Sequence, residues 1–477
     1  MLAFILFLVA LLGLYYTIWI NKWRNLNCEG VLPPGSMGLP FIGETLQLLM
    51  PSYSLDTHPF IKKRVQRYGP IFRSNIACRP IVISTDPEFN KHIINQEGRL
   101  VEMWYFETFS KILILDGESR TNISGYIHKY IRGAFLGQLG TETLKTKLLP
   151  QIENVVKETL HSWSNRDVVD VKDAVSVTIC DATAKFLCGC EAIVSANNLS
   201  ESFTLFAKSL MTFPLNIPGT AYHKCLKHKE NVMNVLRGWM IERRRTSSVE
   251  KSPEDEDFFD VAFKQMEKDK FFTEEFILNL LFALLFASFT TISTTITLML
   301  KFISSHPRVL QELMAEHESI LKNRRPDCSI TWEEYKSMTY TQQVINETLR
   351  MTNIAPGLLR KVVKDIQYKG YTIPAGWSVM VVDTDRHMDS EVYKDPLVFN
   401  PSRWKELDFY TISKNFSPFG GGTRQCVGAD YSRLIMSIFV HVLVTKYRWE
   451  KIEEGKLLRN PILGFGKGLH VKLFEKH

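Results

Sequence analysis

A lone cysteine in a glycine-rich segment is the clearest place where residue types and spacing could support chemistry. Residues 416–428 read Phe-Ser-Pro-Phe-Gly-Gly-Gly-Thr-Arg-Gln-Cys-Val-Gly, so Cys426 follows Arg424 by two positions and precedes an apolar run that predicts a helix. Glycines let backbone N–H groups approach a sulfur closely. Such groups, together with a helix N-terminus, lower the pKa of a thiol. The segment therefore predicts a thiolate that acts as a nucleophile or as a metal ligand.

Other sites built from similar residues fit this segment less well. A phosphate-binding loop would follow a strand and would end its glycines with Lys and then Ser or Thr. A cysteine nucleophile needs a base, and the sequence suggests no histidine near Cys426. Cys188 and Cys190 form a close pair, but they lack the second pair of ligands that a zinc site requires.

Two predicted helices carry further polar residues. Residues 276–300 contain no charged side chain, and the alcohols Thr290 and Thr291 lie in their second half. An alcohol relays a proton through water but does not supply one as a carboxylic acid does. Glu347 and Arg350 stand three residues apart on another helix. They form either an exposed ion pair, which contributes a few tenths of a kcal/mol, or part of a buried network.

These motifs, in this order, resemble those of the cytochromes P450. Glu347 and Arg350 resemble the Glu-x-x-Arg pair of that family, and residues 399–404 supply the arginine, Arg403, that completes its structural triad. The cysteine segment is similar to the family's haem-binding loop at every fixed position, and the matching residues are Phe419, Gly422, Arg424, Cys426 and Gly428.

The resemblance implies a monooxygenase that carries haem b, with Cys426 as the thiolate ligand of the iron. It implies the mainly α fold of that family with small β-sheets, and the short strand-like runs near residues 71–84, 361–382 and 469–473 agree with small sheets. His128 stands where many members have tryptophan. The other residues that the resemblance assigns to the cofactor, beside those of the cysteine segment, are Arg132 and Arg360.

The long uncharged helix departs from the family pattern. The resemblance implies that this helix activates dioxygen and makes Thr291 and Thr290 the catalytic pair, but Thr290 stands where the family usually has Asp or Glu. Proton supply to dioxygen is therefore expected to be inefficient. Two alternative functions follow, namely an oxygen-independent haem-thiolate isomerase or dehydratase, and a catalytically weak haem- or lipid-binding relative.

The sequence as a whole resembles the plant branch of the family that oxidises sterols, brassinosteroids and triterpenes. Within that branch it resembles the triterpenoid enzymes of the thalianol hydroxylase type. That resemblance implies a lipophilic polycyclic substrate. The residues expected to line its pocket, each of which could equally be ordinary core, are Phe213, Leu215, Phe289, Ala355, Pro356 and Leu358.

Composition and the N-terminus indicate one large body on a membrane anchor. The 477 residues carry 58 Lys and Arg against 51 Asp and Glu, a formal net charge of +7 with no long basic block, so nucleic acid is not an expected partner. Residues 1–20 contain no charged side chain and are long enough to cross a bilayer of about 30 Å. Basic residues follow them, which favours a cytosolic body.

We therefore expect a single-pass anchor in the endoplasmic reticulum membrane at residues 1–20, a basic flank and proline-rich strap at 21–44, and a catalytic domain at 45–477. The sequence contains no flavin or nicotinamide fingerprint. The resemblance accordingly implies that a separate NADPH–cytochrome P450 reductase supplies the electrons.

Overall fold

The computed structural model describes residues 2–24, 30–39, 42–106, 126–189, 199–209, 215–246, 256–325, 328–460 and 462–476. Most of these residues are helical, and the strands form small sheets beside the helices. The predicted fold class is confirmed.

The helices, numbered in chain order, are α1 (Leu2–Arg24), α2 (Thr45–Leu48), α3 (Pro59–Tyr68), α4 (Pro87–Asn95), α5 (Tyr126–Leu139), α6 (Thr141–Thr143), α7 (Leu149–Ser164), α8 (Val171–Cys188), α9 (Leu199–Ser209), α10 (Ala221–Thr246), α11 (Phe258–Lys268), α12 (Glu274–Ser305), α13 (Pro307–Lys322), α14 (Trp332–Ser337), α15 (Thr339–Thr352), α16 (Thr384–His387), α17 (Arg403–Glu406), α18 (Phe409–Asn415) and α19 (Ala429–Lys446).

The strands are β1 (Ile71–Ile76), β2 (Arg79–Ser84), β3 (Val101–Met103), β4 (Val169–Asp170), β5 (Leu358–Val362), β6 (Ile366–Tyr368), β7 (Tyr371–Ile373), β8 (Ser378–Val381), β9 (Tyr447–Glu454), β10 (Leu457–Asn460), β11 (Ile462–Phe465) and β12 (Leu469–Glu475).

The largest sheet in the described residues has the strand order β1-β2-β8-β5-β3. Strands β2 and β8 run parallel, and the other neighbours run antiparallel. Arg360 on β5 lies opposite Met103 on β3 in the register of this sheet. The sheet thereby brings the segment after α4 beside β5, which matters for the site described below.

Helix α12 forms the centre of the helical body and packs against α8, α10, α13, α15 and α19. The Thr273 side chain caps its N-terminus by accepting a hydrogen bond from the Phe276 N–H, and Glu274 and Glu275 in the first turn favour the positive end of the helix dipole. The helix ends where Pro307 begins α13. The long uncharged run thus lies in the body of the protein.

Two described helices are apolar and long enough to cross a membrane. One spans Ala3–Asn21, and 6% of its most apolar stretch is buried in the protein. The other spans Glu274–Ser305, and 61% of its most apolar stretch is buried. The contrast separates an exposed N-terminal helix from a core helix with similar hydropathy.

Strands β9, β10 and β11 were not predicted from the sequence. In β9 only Tyr447 is buried, and the strand carries charged residues on both faces. A strand that buries so few side chains shows no alternation of apolar and polar residues, so periodicity cannot detect it.

Candidate active site

The cysteine segment is a tight loop between α18 and α19. Gly420 and Gly422 adopt φ values of 68° and 63°, which side chains other than glycine rarely tolerate. The Cys426 N–H donates a hydrogen bond to the Phe419 carbonyl at 2.9 Å and so closes the loop. A Cβ atom added to Gly422 would lie 3.0 Å from Cγ2 of Ile94, so the glycine also allows α4 to pack closely on the loop.

The Cys426 side chain is solvent-accessible although protein surrounds most of it. Gly428 lies close to the sulfur, because a Cβ atom added to this glycine would be 3.9 Å from Cys426 Sγ. Burial raises the pKa of the Cys426 thiol, and the Gly428 backbone N–H and Arg132 oppose that rise only in part. The pKa of the Cys426 thiol is thus raised rather than lowered, with burial as the largest cause. Coordination to a metal ion would deprotonate such a thiol outright.

Four of the basic residues predicted to bind the cofactor lie around this loop. On α5, Arg132 donates a hydrogen bond to the Gln425 carbonyl at 2.6 Å. The pKa of His128 on the same helix is lowered, first by burial and then by Arg424 and Arg132, so His128 is neutral at pH 7. Arg360 extends from β5 to the same group of charged side chains. The Glu97 carboxylate contacts both Arg360 and Arg424.

The charges of this cluster fit haem b. Among the charged groups that the structure describes here, three guanidinium groups, those of Arg132, Arg360 and Arg424, lie near one carboxylate, that of Glu97. The cluster therefore has two positive charges in excess, which matches the two propionates of haem b. An accessible thiol beside a cationic cluster of this charge is the donor set that a haem-thiolate centre requires.

Sequence reasoning missed Glu97. Its Oε1 atom accepts hydrogen bonds from Arg424 Nε and from the Met103 N–H, both at 3.0 Å. Its Oε2 atom lies 2.7 Å from Arg360 Nε in an ion pair whose N–H is not aligned for a hydrogen bond. Only 4% of the Glu97 side chain is exposed. A glutamate in a polar turn gave no signal of these distant partners.

A second buried carboxylate, Glu347, holds the predicted triad together. Glu347 is fully buried and accepts hydrogen bonds from Arg350 Nε at 2.9 Å and Arg350 Nη2 at 2.8 Å. Arg403 Nε donates to it at 2.9 Å, and so do Trp404 Nε1 at 3.0 Å and the Asn400 N–H at 3.1 Å. The sequence had not assigned a role to Trp404, whose indole N–H closes the network.

The two threonines of α12 differ in their surroundings. Thr291 is exposed, and its hydroxyl donates to the Ala287 carbonyl at 2.8 Å. The Thr290 hydroxyl is buried and has no hydrogen-bond partner among the described residues. Thr290 therefore retains a donor and acceptor that its surroundings leave unused, whereas the proton of Thr291 is already engaged.

The residues predicted to line the substrate pocket have different surroundings in the structure. Phe289 is buried, with its ring 5.6 Å from that of Phe203 in an aromatic cluster between α9 and α12. Leu215 is 48% exposed at the surface, because it precedes α10 in a loop. Phe213 lies outside the described residues. A Cβ on Gly420 would lie 3.6 Å from Leu358, which places Leu358 against the cysteine loop. Ala355 and Pro356 lie just before β5.

Comparisons with known proteins agree with this site. The family model for cytochrome P450 matches residues 33–471. The chain is 52% identical to a cucurbitadienol 11-hydroxylase of Siraitia grosvenorii, and the alignment covers 99% of each chain. It is 44% identical to a beta-amyrin 16-alpha-hydroxylase of Maesa lanceolata, and that alignment covers 98% of each.

The fold is also that of a solved structure. The retinoic acid-bound cyanobacterial CYP120A1 superposes with a TM-score of 0.81 at 24% identity, covering 94% of this chain and 100% of the other. The family model and the relatives agree on the cytochromes P450, in which a cysteine thiolate ligates the haem iron. This chain belongs to the cytochrome P450 family, the haem-thiolate monooxygenases.

Proposed function

We propose that this monooxygenase hydroxylates a triterpenoid at an unactivated carbon, and that Cys426 would supply the thiolate that holds its haem. The observation that carries the proposal is the pair of relatives at 52% and 44% identity over nearly the whole chain, which are a cucurbitadienol and a beta-amyrin hydroxylase. Both names describe hydroxylation of a polycyclic triterpene skeleton. Leu358, which lies against the cysteine loop, and the neighbouring Ala355 and Pro356 would contribute apolar surface to the substrate site.

When bound through the Cys426 thiolate, haem supplies the activation of dioxygen that inserts one oxygen atom into a C–H bond. The protein orients the cofactor and delivers protons. Arg132, Arg360 and Arg424 would bind the propionates through charge-assisted hydrogen bonds. The glycines at 420 and 422 keep the loop compact, so the sulfur is presented from a fixed backbone.

Protons would reach the site through alcohols and water rather than from an acid. Thr291 already donates its own hydrogen to Ala287, so its oxygen serves as the acceptor in a relay. The buried hydroxyl of Thr290, which has no hydrogen-bond partner among the described residues, would donate to a water molecule that enters the site. Without a carboxylic acid at this place, proton transfer is the step at which reducing equivalents are lost.

Electrons and membrane attachment complete the proposal. A separate NADPH–cytochrome P450 reductase would reduce the haem. Helix α1 would hold residues 1–20 in the endoplasmic reticulum membrane, with residues 21–44 as a strap and residues 45–477 as the cytosolic catalytic domain. The exposed apolar surface of α1 supports this arrangement.

Co-expression with a reductase and a panel of triterpene synthases tests the function. We expect a product whose mass exceeds that of one triterpene by a single oxygen atom, and growth under ¹⁸O₂ should label that atom. The Cys426→Ser variant is the control and should give no product. A product formed without oxygen or reductase would instead indicate an isomerase or dehydratase. Triterpene-induced spectral change without any product would indicate a binding protein.

A further inference from the structure

Arg459 on β10 is a buried arginine that makes no ion pair with any described residue. Only 2% of it is exposed. Its Nη1 atom donates a hydrogen bond to the Asn353 carbonyl at 2.7 Å, whereas its Nε and Nη2 atoms are buried and have no hydrogen-bond partner in the described part of the chain. By contrast, the equally buried Arg350 contacts the Glu347 carboxylate at 2.8 Å. Arg459 therefore has two nitrogen donors available for a ligand.

The charge of Arg459 points to the kind of ligand. Burial is the cause that lowers the pKa of this guanidinium group to about 10, so the group remains positively charged at pH 7. Moving a charge from water into a protein interior is costly unless an opposite charge accompanies it. A water molecule would accept hydrogen bonds from Nε and Nη2 but would leave the charge unpaired. An anion satisfies both the donors and the charge.

A small cavity beside Arg459 has room for such a ligand. Its volume is about 10 Å³, which is the space that one water-sized particle needs. Arg459 forms one wall, and the other walls come from the N-terminus of α3, the loop between α15 and β5, and the segment between β8 and α16, and include His58, Pro356 and Thr384. The cavity therefore lies where four separate parts of the chain meet.

The other described residues that line the cavity supply no charge. The pKa of His58 is lowered, first by burial and then also by the positive charge of Arg459, so the imidazole is neutral at pH 7. This interaction also indicates that the guanidinium group lies near the His58 wall. Thr57 on the same wall donates a hydrogen bond to Asp385 at 3.1 Å, but Asp385 does not contribute to the pKa of Arg459. The described surroundings thus leave the Arg459 charge without compensation.

We propose that this cavity binds a small monovalent anion of the size of chloride, held by Nε and Nη2 of Arg459. Sulfate and phosphate are larger than the space available. Strand β10 already pairs with the N-terminal segment, because Ser52 and Arg459 exchange backbone hydrogen bonds at 3.0 and 2.8 Å. The anion would strengthen this attachment by neutralising the one charge buried there. The inference does not depend on the proposed function.

The unfolding temperature of purified, full-length, haem-loaded protein tests the proposal. Sodium gluconate is replaced stepwise by sodium chloride at constant ionic strength. Arg459→Met removes the charge and keeps a long side chain, and Arg166→Met is the matched control, because Arg166 is exposed in the turn after α7. We expect chloride to raise the unfolding temperature of the wild type and of Arg166→Met by a few degrees, with saturation, since an ion that binds only the folded protein stabilises it. Arg459→Met should show no such rise.

The absence of a chloride response in the wild type, or an equal response in Arg459→Met, would overturn the proposal. If Arg459→Met does not fold, wild-type crystals soaked in sodium bromide decide the matter. Anomalous scattering should then locate one bromide ion beside Nε and Nη2 of Arg459. A water molecule or a carboxylate of the protein in that place would overturn the proposal.

Discussion

Two buried glutamates, each in contact with two arginines, behave differently in this molecule. Around Glu347, the remaining guanidinium nitrogens end on backbone carbonyls, so that Arg350 donates to His387 and Pro396 and Arg403 donates to Lys394 and Val398. Around Glu97, Arg360 donates to the Leu359 carbonyl, and Arg360 and Arg424 lie near the cysteine loop and a third arginine, Arg132.

The different surroundings of Glu347 and Glu97 indicate different roles for the two carboxylates. The Glu347 network is closed, because its donors and acceptors find each other inside the protein, and closed buried networks fix a fold. The described part of the cluster around Glu97 instead brings arginines from three separate elements to the cysteine loop, where they can bind an anionic ligand. A count of acidic and basic residues along the sequence would not reveal this distinction, because it does not show which groups each carboxylate contacts in the folded protein.

The largest expected effect belongs to the closed network. Glu347→Ala leaves Arg350 and Arg403 buried without their carboxylate, which costs about 3–5 kcal/mol. We expect little soluble haem-loaded protein, measured as the haem-to-protein ratio after purification. Glu406→Ala, an exposed glutamate on α17, is the control and should give wild-type yield. A stable Glu347→Ala protein with its full content of haem would show that the Glu347 network does not stabilise the fold, and the distinction between the two glutamates would fail.

A smaller effect should follow when one neutral donor is removed from the same network. Trp404→Phe keeps an aromatic ring beside Phe416, although a smaller one, and removes the indole N–H that donates to Glu347. Hydrogen bonds to charged groups contribute about 1.5–3 kcal/mol, and thermal unfolding of the haem-loaded protein measures the loss.

The matched control for that change is Trp449→Phe, which loses a hydrogen bond to the neutral hydroxyl of Ser304. We expect a loss of only about 0.5–1.5 kcal/mol there. Equal losses in the two variants would mean that the Glu347 charge adds nothing to the network.

The unpaired hydroxyl of Thr290 allows a similar comparison within the active site. Thr290→Asp adds an acid of nearly equal size, and burial of that carboxyl favours its protonated form. We expect more product per NADPH, and a 10-fold gain would correspond to about 1.4 kcal/mol in the barrier. Thr290→Val, which has the same shape without a hydroxyl, should yield less product than the wild type. If the wild type is already tightly coupled, the proton-supply explanation fails.

The smallest effect on the haem site should come from removal of the anchor. Deletion of residues 1–20 should move the protein from the membrane to the soluble fraction while the haem-to-protein ratio stays at the wild-type value, because the core lies in the later helices. Full-length protein washed in high salt is the control for loose attachment. Loss of haem after the deletion would show that α1 is not separable from the body.

The sequence predicted those parts of the site that lie close together along the chain. The spacing of residues 416–428 identified the cysteine loop, and the three-residue spacing of Glu347 and Arg350 identified their pair. Glu97 escaped because its partner Arg424 is 327 residues away and its own neighbours describe only a polar turn. Leu215 is exposed whereas Phe289 is buried, a difference that the sequence does not show because apolar residues on different elements give no local signal of which space they face.

The central claim is that Cys426 supplies the thiolate of a haem centre, and the spectrum of the reduced carbon-monoxide complex tests it most directly. Cys426→Ser should abolish the red-shifted Soret band, because an alcohol is a far poorer donor to iron than a thiolate. Cys328→Ser, which changes another exposed cysteine, should keep the band at full intensity. Persistence of the band in Cys426→Ser would show that another residue ligates the iron and would contradict the account.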